Sequence, residues 1–113
     1  EKSQFCRILD YHTKNAGDEL SPAEFNFFEG ATFLAMLYPE AAIDKFRTAI
    51  KNKANYAEAY HSIGKILHDA GKVEEGIENY QKAVELATEN EDRDLNLFKK
   101  NLENIIKKEF ISD

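Results

Sequence analysis

The feature that most constrains this chain is that it writes one helix twice. Residues 37–52, "LYPEAAIDKFRTAIKN", and residues 71–86, "GKVEEGIENYQKAVEL", share a skeleton at an offset of 34. Gly30 aligns with Gly64, Phe33 with Leu67, Ala42 with Gly76, Ile43 with Ile77, Phe46 with Tyr80, Ala49 with Ala83 and Ile50 with Val84. Small residues meet small ones and bulky residues meet bulky ones. Packed helices need small residues where their backbones approach and bulky ones where a gap must be filled, so the register describes one helical hairpin repeated.

The rest of the chain obeys the same period. Apolar residues recur at three- and four-residue spacing, with two prolines, few glycines and no alternating strand pattern, which predicts an all-α fold of about six helices. A first helix is expected over about 4–16, with Phe5, Ile8, Leu9 and His12 on one stripe and Gly17 as its stop. Ser21, Pro22 and Glu24 make a capping box, so a second helix should run from 22 to about 38. Pro39 ends that helix and begins another, with Ala42, Ile43, Phe46, Ala49 and Ile50 on one face. Further helices are expected at about 56–69, 73–88 and 93–110, separated by Gly71 and the acidic "TENED". On the last, Leu95, Phe98, Leu102, Ile105, Ile106 and Phe110 form the expected inner stripe, leaving Lys99, Lys100, Glu103, Lys107 and Lys108 to water.

"AEAYHSIGKILHDAGKVEEGIENYQKAVELATEN", residues 57–90, resembles the tetratricopeptide repeat family, whose period is 34. Tyr60, Ile63, Gly64, Leu67, Gly76, Tyr80 and Ala83 sit at its signature places, with Thr88 where the family prefers proline. Residues 23–56 are similar but less so. Asn26 and Glu29 stand at positions usually large and apolar, Leu37 replaces the turn glycine and Ala54 replaces the proline. The resemblance implies antiparallel helical hairpins stacked as a short right-handed α-solenoid. The expected single domain has an N-terminal helix in 1–20, repeats at 23–56 and 57–90, and a C-terminal capping helix in 91–113. Two repeats leave apolar ends, which the flanking helices are expected to cover.

In that family the first helix of each repeat lines a concave groove that takes peptides or partner helices. The resemblance therefore implies a groove wall of Glu24, Phe27, Ala31 and Leu34, with Ala35, from the first repeat. Glu58, His61, Lys65 and His68, with Asp69, continue it in the second. Phe27, Ala31 and Ser62 stand where one subfamily clamps the C-terminal carboxylate of chaperone tails with lysine and asparagine, so that ligand is not expected; Lys65 remains able to meet an acidic group. "AEFNFFEGATFLAML" is apolar on almost every side, and such a helix needs cover beyond its repeat partner. The N-terminal helix, a partner segment and a second copy are the candidates.

Composition bounds the function. A net charge of -6 disfavours a nucleic-acid backbone as partner. No apolar run is long enough to span a bilayer. The lone Cys6 excludes an internal disulfide and fits a reducing, cytoplasmic setting. The chain opens on Glu1 without an apolar leader, which reads as a piece of a longer protein or a processed product. There is no phosphate-binding glycine loop, nucleophile elbow or metal-ligand spacing, and no cofactor is expected. His61 and His68 lie two helical turns apart, roughly 10 Å, too far to grip one ion by themselves. The expected role is thus a non-enzymatic protein-interaction module. The alternatives are a structural or self-associating segment of a larger protein, or a regulatory domain attached to an enzyme.

Overall fold

The structure is a computed structural model that describes residues 20–111. The helix expected over 4–16 lies outside the described residues. The described chain is helical throughout, with no strand, and divides into two compact units at Ala54 and Asn55.

The first unit holds α1 (Pro22–Ala35) and α2 (Pro39–Asn52). The capping box starts α1 as expected: the Glu24 backbone N–H donates to Ser21 Oγ at 3.2 Å, and the Ser21 N–H donates to Glu24 Oε1 at 3.1 Å. The two helices meet where Gly30 faces Phe46, whose ring lies 2.8 Å from where a glycine-replacing Cβ would stand. Ala23, Ala42, Phe46 and Ala49 are buried, so the small-and-bulky register is the packing register. Asn26 and Glu29, at places the resemblance reserves for large apolar residues, make polar contacts instead. Asn26 Nδ2 donates to the Pro22 carbonyl at 2.9 Å, and Glu29 pairs with Lys45 of α2 at 3.1 Å.

The second unit holds α3 (Ala57–Asp69), α4 (Val73–Glu89), α5 (Leu95–Ile106) and a terminal π-helical turn over Lys107–Ile111. Gly64 and Gly76 let α3 and α4 approach backbone to backbone. Beyond that crossing, Ala57, Ala83, Leu86, Ala87 and Phe98 form a core, with Tyr60, Val84 and Leu95 packed on it. Asn55 and Asn90 tie the entry to α3 to the end of α4: Asn55 Nδ2 donates to Asn90 Oδ1 at 3.3 Å, and Asn90 Nδ2 donates to the Asn55 carbonyl at 3.1 Å.

One termination device recurs three times. After α1 the Leu37 N–H donates to the Leu34 carbonyl and the Tyr38 N–H to the Phe33 carbonyl. After α3 the pairs are Gly71 to His68 and Lys72 to Leu67; after α4 they are Glu91 to Thr88 and Asp92 to Ala87. Each is a Schellman motif, which requires one left-handed residue. Leu37, Gly71 and Glu91 supply it at φ 65°, 89° and 52°. The Phe33 and Tyr38 rings, 6.5 Å apart and edge to face, are the apolar contact that accompanies the first motif.

Two sequence expectations need correction. The helix expected to reach residue 38 stops at Ala35, because Leu37 turns left-handed and Tyr38 leaves the helical region ahead of Pro39. The last helix begins at Leu95 rather than 93, and Phe110 is 64% exposed rather than on the inner stripe. Four residues past Ile106, Phe110 lies at the stripe's far edge from buried Phe98, whereas Glu109, eleven residues or three turns past Phe98, returns to its face.

Candidate functional site

The second unit contains a recess lined by polar side chains. It lies between α3 and α5, and its shape follows from two cross-links. At one end the His61 ring stacks on Phe98 with centroids 4.4 Å apart and planes 21° from parallel, and meets Tyr80 of α4 edge-on at 4.9 Å. Asn101 Nδ2 donates to His61 Nε2 at 3.1 Å. At the other end His68 Nε2 donates to Glu109 Oε2 at 3.0 Å. His61 precedes His68 on α3 as Phe98 and Asn101 precede Glu109, so the two helices run in the same direction.

Between these cross-links is an open cleft of about 440 Å³. Lys65, His68 and Asp69 line one wall, and Asn101, Asn104 and Lys108 the other. Tyr80 and Ile105 complete it. Lys65 Nζ contacts Asp69 Oδ2 at 3.4 Å across one turn. The wall therefore offers ammonium, amide and imidazole donors, with its own carboxylate already engaged.

Burial sets the protonation of His61 and Tyr80. Burial holds the His61 imidazole below its ordinary value, helped by the nearby Lys65 charge and opposed by Asp94. A neutral His61 is what the Asn101 amide needs in order to donate to Nε2. Burial, with a smaller contribution from the Asp69 charge, pushes the Tyr80 phenol up to about 12. Tyr80 thus stays protonated and supplies a hydroxyl to the cleft, not a charge.

The residues expected to line a groove separate by unit. On α3, Lys65 and His68 line the cleft, His61 is half-buried at its closed end, and Glu58 is exposed one turn before His61. On α1, Glu24 is exposed and engaged in the capping box. Phe27 is half-buried against Phe46 at 5.3 Å and Phe28 at 5.9 Å. Ala31 is half-buried, and Leu34 is exposed. Further along the first unit, Met36, Leu37 and Tyr38 form an exposed apolar run, Leu37 at 83% exposure.

Asn101, Asn104 and Lys108 were not legible as cleft residues, because they lie beyond the repeats and the 34-residue register does not place them. The usable signal was the eleven-residue interval between Phe98 and Glu109, which puts both on one helix face.

Comparison with known proteins points to one family. Residues 57–90 match the tetratricopeptide repeat family. The small glutamine-rich tetratricopeptide repeat-containing protein 2 of Mycosarcoma maydis is 33% identical over 75 residues, a match that covers 65% of this chain and 21% of that protein. The chain therefore corresponds to about a fifth of the relative's length.

Proposed function

Because residues 57–90 are a tetratricopeptide repeat, and such repeats mediate protein–protein interaction, we propose that this chain holds a peptide or helical segment of a partner protein in the α3–α5 cleft. The observation that carries the reading is the cleft itself: Lys65 and His68 of the repeat face Asn101, Asn104 and Lys108 across it. A recess lined by convergent polar groups on two packed helices suits a segment that brings its own acceptors.

The test is affinity capture from lysate followed by direct titration of the recovered partner. Lys65→Glu reverses a charge on the cleft wall at an exposed position, so folding should survive and partner affinity should fall at least tenfold. Retention of full affinity by Lys65→Glu, with circular dichroism unchanged, would remove the cleft from the binding site.

A second reading is favoured by the exposed run Met36, Leu37 and Tyr38 together with exposed Leu34 and Phe25. Such a patch suits association with a second copy or with a neighbouring part of a longer chain. Sedimentation equilibrium decides it. A mass that rises with concentration and reverts in Leu37→Glu supports self-association, and a constant monomer mass eliminates it.

A further inference from the structure

Among the described residues, Glu109 of the Lys107–Ile111 turn reaches across to α3 and ends on a histidine that borders the cleft. We infer that Glu109, seated on His68 at the margin of the cleft, holds a contact that an acidic side chain of a bound segment would take, so that the Lys107–Ile111 turn competes with the partner. The inference rests on reading the cleft as a binding site and adds the class of group it selects and a means of regulating it.

The donor inventory selects the class. Lysine ammonium groups can only donate, and Lys65 and Lys108 present them from both walls; Asn104, and Asn101 with the amide hydrogen that His61 leaves over, add donors beside their own carbonyl acceptors. Asp69 is the wall's carboxylate, lying 3.4 Å from Lys65 and 3.8 Å from His68 Nδ1. A carboxylate entering the cleft meets donors on both sides, and Glu109 already demonstrates the contact at 3.0 Å from His68 Nε2. His68 is left with a side chain only 13% exposed, so a partner carboxylate has to displace Glu109 to reach it.

The way Glu109 is held makes it displaceable. It is delivered by a five-residue π-helical turn, a geometry that is rare and found mostly as short local features at functional sites. Phe110, the bulky apolar residue of that turn, is largely exposed and adds little burial to fix it. The contact is a single side-chain hydrogen bond, which contributes little net stability because each group exchanges one partner for another. A competing carboxylate supported by Lys65, Asn101 and Asn104 in addition to His68 therefore outmatches it.

The experiment uses hexaglutamate as the acidic probe, titrated into the isotope-labelled chain, its Glu109→Gln variant and its Glu103→Gln variant. Glu103 is an exposed acid on α5 and controls for the change in net charge. The expected result is movement of the Asn101 and Asn104 side-chain amide signals and the His68 ring signals. Affinity should be about fivefold tighter in Glu109→Gln, the size expected for weakening one hydrogen bond to a carboxylate, and unchanged in Glu103→Gln. Equal tightening in both variants would mean a bulk charge effect and overturn the inference. Cleft signals that move with the same affinity in all three proteins would overturn Glu109 as competitor while leaving the cleft as a binding site. Cleft signals that move in none of them would overturn both the inference and the cleft's preference for acidic segments.

Discussion

Gly64 and Gly76 stand backbone to backbone: a Cβ added to either would lie 2.9 Å from the other's carbonyl oxygen. Both belong to helices in which alanine would normally be the better residue, by about 1 kcal/mol. The crossing reverses that preference, since a carbonyl oxygen fixed in a helix cannot move aside as a flexible side chain can.

Gly76→Ala is accordingly expected to destabilise the second unit. A Cβ at this position also meets the His68 backbone nitrogen at 3.0 Å, so the helices must separate. Overpacking of this kind costs about 1–3 kcal/mol. Urea denaturation followed by circular dichroism should show the midpoint fall; an unchanged or higher midpoint would mean that the helices separate without loss.

Leu37→Gly should act in the opposite sense. Leucine at φ 65° carries a left-handed penalty of roughly 1–2 kcal/mol, and its 83% exposure means that little apolar burial compensates. The variant should raise the thermal midpoint, the net gain being about 1 kcal/mol after glycine's greater freedom in the unfolded chain is counted. If stability instead drops, Leu37 is buried in the protein as it exists in solution, which would favour the self-association reading.

Ser21→Ala removes the side-chain acceptor that satisfies the Glu24 N–H and leaves α1 without half of its capping box. The expected loss is about 1 kcal/mol. Amide exchange should quicken in the first turn of α1, while α4 and α5 keep their protection. Uniform loss of protection across both units would show that they unfold together.

Stability should form a plateau bounded by two titrations. His61 is held below its ordinary 6.5, so the unfolded chain takes up its proton first as pH falls. The stabilisation is complete above about 6.5 and declines as the pH drops below it. On the alkaline side Tyr80 ionises at about 12 when folded and at 10.0 when unfolded, so its contribution is complete below 10.0 and is lost as pH rises toward about 12. Denaturant midpoints measured across pH check both flanks. His61→Phe should flatten the acid flank and leave the alkaline one; a persisting acid slope would assign it to another group.

Much of this was legible in the residues themselves. A 34-residue period with small residues at 30, 64, 42 and 76 fixes where helices cross, because only small side chains allow two backbones to touch. Ser21, Pro22 and Glu24 fix a helix start, because a cap is a local bond among neighbours in sequence. The repeat register put Leu37 at the family's turn glycine, yet its apolar side chain carried the expected helix through it to about 38, because a left-handed leucine runs against local propensity. Tertiary structure alone decided the other half of the cleft. α5 lies outside the repeat, so no register relates Asn101, Asn104, Lys108 or Glu109 to α3. Their positions follow from how Phe98 seats on the core and on His61, and side-chain stacking of that kind depends on residues 37 apart in sequence meeting in space. Local propensity and periodicity act within one element; which polar faces confront each other is settled only when the elements pack.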